Sequence, residues 1–359
     1  MALLLKPPTE GEKGIIVFTH KELDNGSVSM RKDARVLARL EALSPRFLFG
    51  VHIGGAIPEF PVFDALDFYL APESTRFVDH FRLAGKRIFS RTPKICHIPL
   101  CARSFLPKEF GTEACPKHFD IIMIARAAAN KHLDEFFSAI KRIYALGKDY
   151  KVLLISADAN TVSGGSVDIS ALYYEGLTAR ERELFSLAYM SSKMSMFPLP
   201  SSTISFLLRS SKVCALFSMA EGDSRNVHEA LLAGVPVVVC KNMVGGARDH
   251  LDETNSVQFE DFSSAHLALI EAVDNHARFQ DVRAKVEGLC SEAHSIPRLE
   301  GYLEALFREK GLAYTRGRLY SENLSVTLAA HTRDRTPDGR TLDLLTPEAI
   351  LSWLSEAGK

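Results

Sequence analysis

Residues 217–241, FSMAEGDSRNVHEALLAGVPVVVCK, constrain the fold more than any other stretch of the chain. A short apolar strand, Val213 to Phe217, runs into a polar turn, Glu221-Gly222-Asp223-Ser224, and a helix carrying Glu229 follows. Gly234 closes that helix, Pro236 comes next, and a second buried strand is expected from Val237 to Cys240. Strand, turn, helix and strand make one α/β crossover unit. Its turn lies at the carboxyl end of the first strand, where open α/β sheets bind ligands. Backbone N–H groups at the start of the helix offer a site for phosphate or sugar oxygens. Glu221 and Glu229, eight positions apart, flank that site, the first in the turn and the second just over one helical turn in.

The same rhythm recurs along the chain. Gly14 to Phe18 reads as a buried strand, followed by a polar loop with an Asn25-Gly26 turn signal. Met30 to Leu43 has helical spacing through Val36, Leu37, Leu40 and Leu43. Phe47 to Val51 and Asp67 to Leu70 are further strands, Ser74 caps a helix to about Ala84, and short strands fall near Ile88 and at Ile95 to Ile98. Pro107 to Pro116 is polar and irregular, as linkers are. FDIIMIAR, Phe119 to Arg126, then opens a second α/β region, with a helix from Leu133 to Leu146 and a strand from Val152 to Ser156. Thr178 and Glu181 form a capping box that opens another helix. A helix from Ser201 to Ser210 leads to the strand before Glu221, and helices follow at Ala265 to Val273, Arg278 to Leu289 and Leu299 to Lys310. The expected architecture is therefore α/β, with two Rossmann-like doubly wound domains at 1–116 and 117–310 and a tail at 311–359. In that tail, Leu344 to Trp353 has helical spacing, which fits either a closing helix that returns to the first domain or a loosely held end.

Composition excludes several classes. A length of 359 residues suits about two domains, and 46% apolar with 24% charged residues is ordinary for a globular protein. The formal net charge of −1 gives no global field that favours nucleic acid or a membrane. No run of about 18 apolar residues spans a bilayer, and the start, MALLLKPPTEGEKG, lacks a secretory layout. Cys96, Cys101, Cys115, Cys214, Cys240 and Cys290 are scattered, which reads as reduced thiols in a cytoplasmic protein. Cys96, His97, Cys101, Cys115 and His118 cluster without a CxxC pair, and zinc is not expected there. A Walker A loop, a G-x-S-x-G elbow and an HExxH helix are all missing from the sequence.

The Glu221 to Glu229 spacing resembles the E-x7-E segment of retaining GT-B glycosyltransferases, family 4 in particular. A second resemblance sits at Ile124-Ala125-Arg126 with Lys131 five positions on, where that family commonly has Gly-Arg and a Lys. A third is Asp252 to Phe259, DETNSVQF, with Asn255-Ser256 where Asn-Gly is usual. The resemblance implies a GT-B fold and a nucleotide-sugar donor, UDP- or GDP-linked, as substrate rather than cofactor. It gives Arg126 and Lys131 the donor diphosphate and the charge that grows on the leaving group. It gives Glu229 the ribose hydroxyls. Glu221, with the turn of Gly222, Asp223, Ser224, Arg225 and Asn226, would contact the sugar and phosphate. A histidine at a strand end often faces the donor sugar in this family; His52, before Gly54-Gly55, is the candidate and His20 the second choice. The family generally needs no metal for transfer. Two departures stand out: Glu-Gly-Asp-Ser replaces the common Glu-Gly-Phe-Gly, and the Asp24 to Ser27 loop lacks the usual pair of glycines.

The expected function is retaining transfer of a sugar from a nucleotide sugar to a glycan, lipid-linked or small-molecule acceptor, in polysaccharide or glycoconjugate synthesis. The short first domain supports an alternative, a nucleotide-sugar-binding or partner protein that has lost transfer. A phosphorylase or sugar-nucleotide epimerase ranks last, for want of a recognisable cofactor lysine. Arg76, Arg82, Lys86, Arg87, Arg91 and Lys94, interleaved with Phe77, Phe81 and Leu83, could rest on the acidic inner surface of a membrane. The competing reading of that segment is a packed helix with a solvated basic face.

Overall fold

The computed structural model describes residues 2–19, 34–52, 66–71, 96–98, 100, 110–111, 113–158, 165–190, 199–221, 224–320, 334–335 and 341–342. The chain divides into two compact units, one made of Met1–Leu106 and Cys290–Lys359, the other of Pro107–Leu289. Both are α/β units built on largely or wholly parallel sheets. Among the described residues, no helix is long and apolar enough to cross a membrane.

The first unit holds a five-stranded sheet whose spatial order follows the chain: β1 (Ala2–Lys6), β2 (Gly14–Thr19), β3 (Phe47–His52), β4 (Phe68–Leu70) and β5 (Cys96–Ile98). Strands β2 to β5 are parallel, and β1 runs antiparallel along the edge at β2. The opening MALLLK, to which the sequence alone assigns no element, is that edge strand, with a bulge between Leu4 and Lys6. β3 is buried along its whole length, as a central parallel strand must be. Helix α1 (Ala34–Leu43) precedes β3. The helix expected from Ser74 and the strand near Ile88 lie outside the described residues, as do the basic run, His20 and the expected tail helix.

The core of this unit is closed from far along the chain. Leu299, Leu303, Leu306 and Phe307 lie in one buried cluster with Leu5, Ile15, Val17, Leu48, Phe68 and Ile98. Those four residues form the apolar stripe of the long helix Glu292–Glu309. On sequence rhythm this helix falls in a second domain at 117–310, but the compact second unit ends at Leu289. Its spacing announces a buried face without saying which sheet covers it. Beyond the helix, Tyr320 N–H donates to the Leu5 carbonyl at 2.8 Å. Lys310 pairs with Asp67 at 2.8 Å.

Lys6 is fully buried and has several partners. It is 2.7 Å from Glu12, donates to the Thr315 carbonyl, and sits 3.9 Å above the Tyr314 ring. Glu12 also accepts from Thr315 N–H at 2.7 Å. Burial alone would raise the Glu12 carboxyl, but the Lys6 ammonium and the Thr315 amide together hold it below its ordinary value. This ion pair ties the edge strand to the segment after the long helix.

The second unit holds a six-stranded sheet. Its strands are β6 (Phe119–Ala127), β7 (Val152–Asp158), β8 (Phe185–Met190), β9 (Ser211–Leu216), β10 (Val237–Cys240) and β11 (Ser256–Phe259). All pairs are parallel, and the spatial order is β11-β10-β9-β6-β7-β8. The order advances from β6 to β8 on one side and from β9 to β11 on the other, so it reverses between β6 and β9. Helix α2 (Leu133–Ala145) buries Leu133, Phe136, Phe137, Ile140 and Ile143, the one-sided stripe that the sequence spacing implied. It packs against α7 (Ala265–Asp274). Between these come α3 (Ile169–Tyr174), α4 (Ala179–Leu184), α5 (Ser201–Arg209) and α6 (Arg225–Leu232), with α5 packed against α6. Helix α8 (Val282–Cys290) ends the unit, and the long helix of the first unit is α9. The Thr178–Glu181 capping box is present, but it opens only the six residues of α4. The chain then turns into the edge strand β8, which the capping box does not announce.

Two outcomes follow. Glu12→Gln should destabilise the first unit by about 3 kcal/mol, because it leaves a buried ammonium without its counter-ion. Glu12 has a lowered folded-state value, so its contribution is present above its ordinary pKa of 4.5 and is lost as the pH falls through the lower folded value. Urea unfolding of wild type and variant at neutral pH and below pH 4.5 should therefore show a gap that narrows in acid. Leu303→Ala should cost about 2–5 kcal/mol in the same assay, since Leu303 is fully buried in the cluster.

Candidate functional site

The reversal between β6 and β9 creates a crevice at the carboxyl edge of the second sheet, the place where open α/β sheets take ligands. Two chain segments leave the sheet there. After β6, the backbone turns through Ala129–Lys131, one turn of 3-10 helix, and reaches α2 through His132 at φ 48°. Lys131 N–H donates to Ala128 O at 2.9 Å, which fixes the lysine at the crevice mouth. The segment after β7 braces this turn: Ala129 N–H donates to Gly165 O at 3.2 Å and Val167 N–H to Ala127 O at 2.9 Å.

After β9, Phe217 to Glu221 lead into α6. Ala220 forms a parallel bridge to Val244, and Glu221 N–H donates to Val244 O at 2.8 Å. Gly245 follows with φ 145°, and a Cβ on it would stand 2.2 Å from the Glu221 carbonyl oxygen. Only glycine fits this close approach. Gly245 is a site residue beyond those the motifs single out. Its signal was available, a Gly-Gly pair just beyond the buried strand β10, at the same sheet edge.

The side chains expected at the site meet across the crevice. Lys131 Nζ and Glu221 Oε1 form an ion pair. Asn226 Nδ2 donates to the Ile124 carbonyl, joining the first turn of α6 to β6. Arg225 Nε pairs with Glu229 Oε1, one turn apart on α6. Glu229 is buried, and its carboxylate adds to the effect of burial in pushing the Cys214 thiol up to about 12. Ser224 is the helix N-cap and is buried, but its hydroxyl makes no capping bond, so the first amides of α6 are not closed off by it. Gly234 at φ 73° ends α6: Val235 N–H donates to Ala230 O and Gly234 N–H to Leu231 O, a Schellman closure. His228 Nε2 lies 3.0 Å from His250 Nδ1, linking α6 to the turn that follows Gly245.

Arg126 lies near the end of β6, half-buried, on the same edge. Gly222 and Asp223 lie outside the described residues. His52 belongs to the other unit, where it is buried at the carboxyl end of β3, in register with Thr19 and Leu70. Asp252 to Phe259 forms the expected turn and strand: Asn255 accepts from Asp252 N–H at 3.0 Å and donates to His250 O at 2.8 Å before β11 begins. Among the described residues no cluster of three or more metal-ligating side chains occurs.

Residues 108–278, just under half of the chain, match the model of the family described as glycosyl transferases group 1. No curated protein sequence matches the chain. Among solved structures, the pneumococcal O-GlcNAc transferase GtfA, in complex with UDP and GlcNAc, is similar at a TM-score of 0.52 and 15% identity, over 77% of this chain and 55% of that one. TarM is similar at a TM-score of 0.51 and 14% identity, over 73% and 50%. An α,α-trehalose-phosphate synthase (UDP-forming) from Burkholderia xenovorans is similar at 0.56 and 16%, over 78% and 71%. The chain thus spans about half the length of GtfA and TarM. Parallel α/β units, a crevice at the strand-order reversal and a family match over that region lead to one assignment: the chain has the GT-B glycosyltransferase fold, and its second unit carries the match to glycosyl transferases group 1.

Proposed function

We propose that this protein transfers a sugar, with retention of configuration, from a nucleotide-sugar donor to a glycan, lipid-linked or small-molecule acceptor. One observation carries the reading: Lys131 after β6 and Glu221 after β9 meet across the crevice, with Asn226 and Glu229 beside them on α6. A nucleotide sugar laid along this edge presents its diphosphate to Arg126, Lys131 and the first amides of α6. Its ribose hydroxyls reach Glu229, and its sugar reaches Glu221 and the turn before α6. Arg126 and Lys131 would stabilise the negative charge that grows on the leaving diphosphate, the part a metal ion plays elsewhere. We therefore infer metal-independent transfer.

UDP is the first choice for the nucleotide, with GDP next. GtfA was solved with UDP, and the Burkholderia synthase is named as UDP-forming. Polysaccharide or glycoconjugate synthesis in the cytoplasm is the setting we infer. His52 is proposed as a contact to the donor sugar on the grounds of family resemblance alone.

Calorimetry with UDP, GDP, ADP and dTDP tests the reading. One nucleotide should bind wild type and lose about tenfold or more in Glu229→Ala, in line with a hydrogen bond to a charged group. Arg126→Ala should cut turnover about a hundredfold, the scale for removing one donor to a developing anion. Equal affinity and turnover in both variants would refute the assignment. Donor binding with neither transfer nor donor hydrolysis would instead identify a nucleotide-sugar-binding protein. Gly245→Ala should lower both thermal stability, by about 1–3 kcal/mol, and nucleotide affinity, because the added methyl displaces the Glu221 backbone. A variant that melts and binds like wild type would remove Gly245 from the site.

A further inference from the structure

Lys131 and Glu221 are 90 positions apart in the chain and come from the two strands that flank the order reversal. Their side chains are largely withdrawn from water, 21% and 16% exposed. Each is mounted on held backbone. The lysine ends a hydrogen-bonded turn, and the glutamate is bonded to Val244 and packed against Gly245. The pair is therefore a contact between two fixed supports, with only the side-chain tips free to exchange partners.

The donor-site reading, on which this inference rests, gives the two groups to different parts of one ligand. The diphosphate needs Lys131 and the sugar needs Glu221. A nucleoside diphosphate without a sugar can engage only the lysine. It must draw Lys131 from Glu221 and leave a sheltered carboxylate without its cation, which is unfavourable. An intact nucleotide sugar meets both groups: phosphate oxygens accept from Lys131 while a sugar hydroxyl donates to Glu221.

We propose that the Lys131–Glu221 pair discriminates the intact donor from the nucleoside diphosphate left after transfer, and that its re-formation helps expel the product. Glu221 is then a specificity-determining residue as well as a sugar contact. The competition falls on Lys131, so the effect of Glu221 on nucleoside diphosphate binding requires the lysine.

The test uses whichever of UDP, GDP, ADP and dTDP binds wild type best, titrated by calorimetry into wild type, Glu221→Gln, Lys131→Met and the double variant. Glu221→Gln should bind the nucleoside diphosphate about fivefold more tightly, the factor that corresponds to a partly exposed ion pair of about 1 kcal/mol. Glu221→Ala, measured alongside, should show the same gain. Lys131→Met should bind more weakly, and adding Glu221→Gln to it should change nothing. Unchanged or weaker binding in both Glu221 variants overturns the proposal. So does a gain that persists in the Lys131→Met background, since that would be plain repulsion between carboxylate and phosphate. Binding that responds to Glu229→Ala yet ignores Glu221→Gln removes this inference and leaves the donor site standing. A wild type that binds none of the four nucleotides removes both.

Discussion

The reversal of strand order between β6 and β9 is the constraint on which the candidate site depends. Two adjacent parallel strands whose chains leave in opposite directions must part at their carboxyl ends, and no covering helix can fill the gap between them. The side chains that meet at the site use that gap. Arg126 and Lys131 ride on the chain leaving β6, and Glu221 and α6 on the chain leaving β9. The Asn226 amide, donating to the Ile124 carbonyl, keeps the two sides at fixed separation.

Charge is handled at this edge by pairing. Glu221 is matched by Lys131 and Glu229 by Arg225, so two sheltered carboxylates each have a cation within reach. An unpaired carboxylate at such positions would be strongly unfavourable. In the proposed donor site the same pairing holds each cation near the crevice, where it would exchange a carboxylate oxygen for a phosphate oxygen. The first unit uses the same chemistry to another end. There Lys6 and Glu12 are deeper, and Tyr314 and Thr315 complete their shell. Nothing in that arrangement invites exchange, and it serves to hold an edge strand.

Much of this was legible in the sequence because the signals were local and strong. The two strands and the helix around Glu221 appear with Gly234 as the helix stop, and α2 buries the face its periodicity describes. Glu221 and Lys131, chosen from separate motifs, do meet. Three features were not legible, each for a physical reason. MALLLK is too short for periodicity to separate a strand from a stray apolar run, and only its pairing with β2 defines it. FSLAYM follows a sound helix start, so β8 was hidden by the capping box before it. The stripe of α9 shows that a face is buried, yet Leu299, Leu303 and Leu306 do not say that their partners are Leu5 and Ile15, nearly the whole chain away. Gly245 belongs to a fourth kind: its requirement for glycine arises from the Glu221 carbonyl, which only the folded chain brings near it.

The split composition of the first unit also bears on the order in which the protein takes shape. Pro107–Leu289 is continuous, whereas the other unit needs both its opening strands and Cys290 onward. Chains emerge from synthesis amino end first, and units generally fold as their residues become available. Here the rule inverts: the unit that holds β1 to β5 has all its parts only after the continuous unit does. Until α9 emerges, Leu5, Ile15, Val17 and Leu48 lack the helix that covers them, while the Pro107–Leu289 unit is already complete. The strands of the first unit therefore wait for α9 while the Pro107–Leu289 unit forms, and chaperone dependence should concentrate on them.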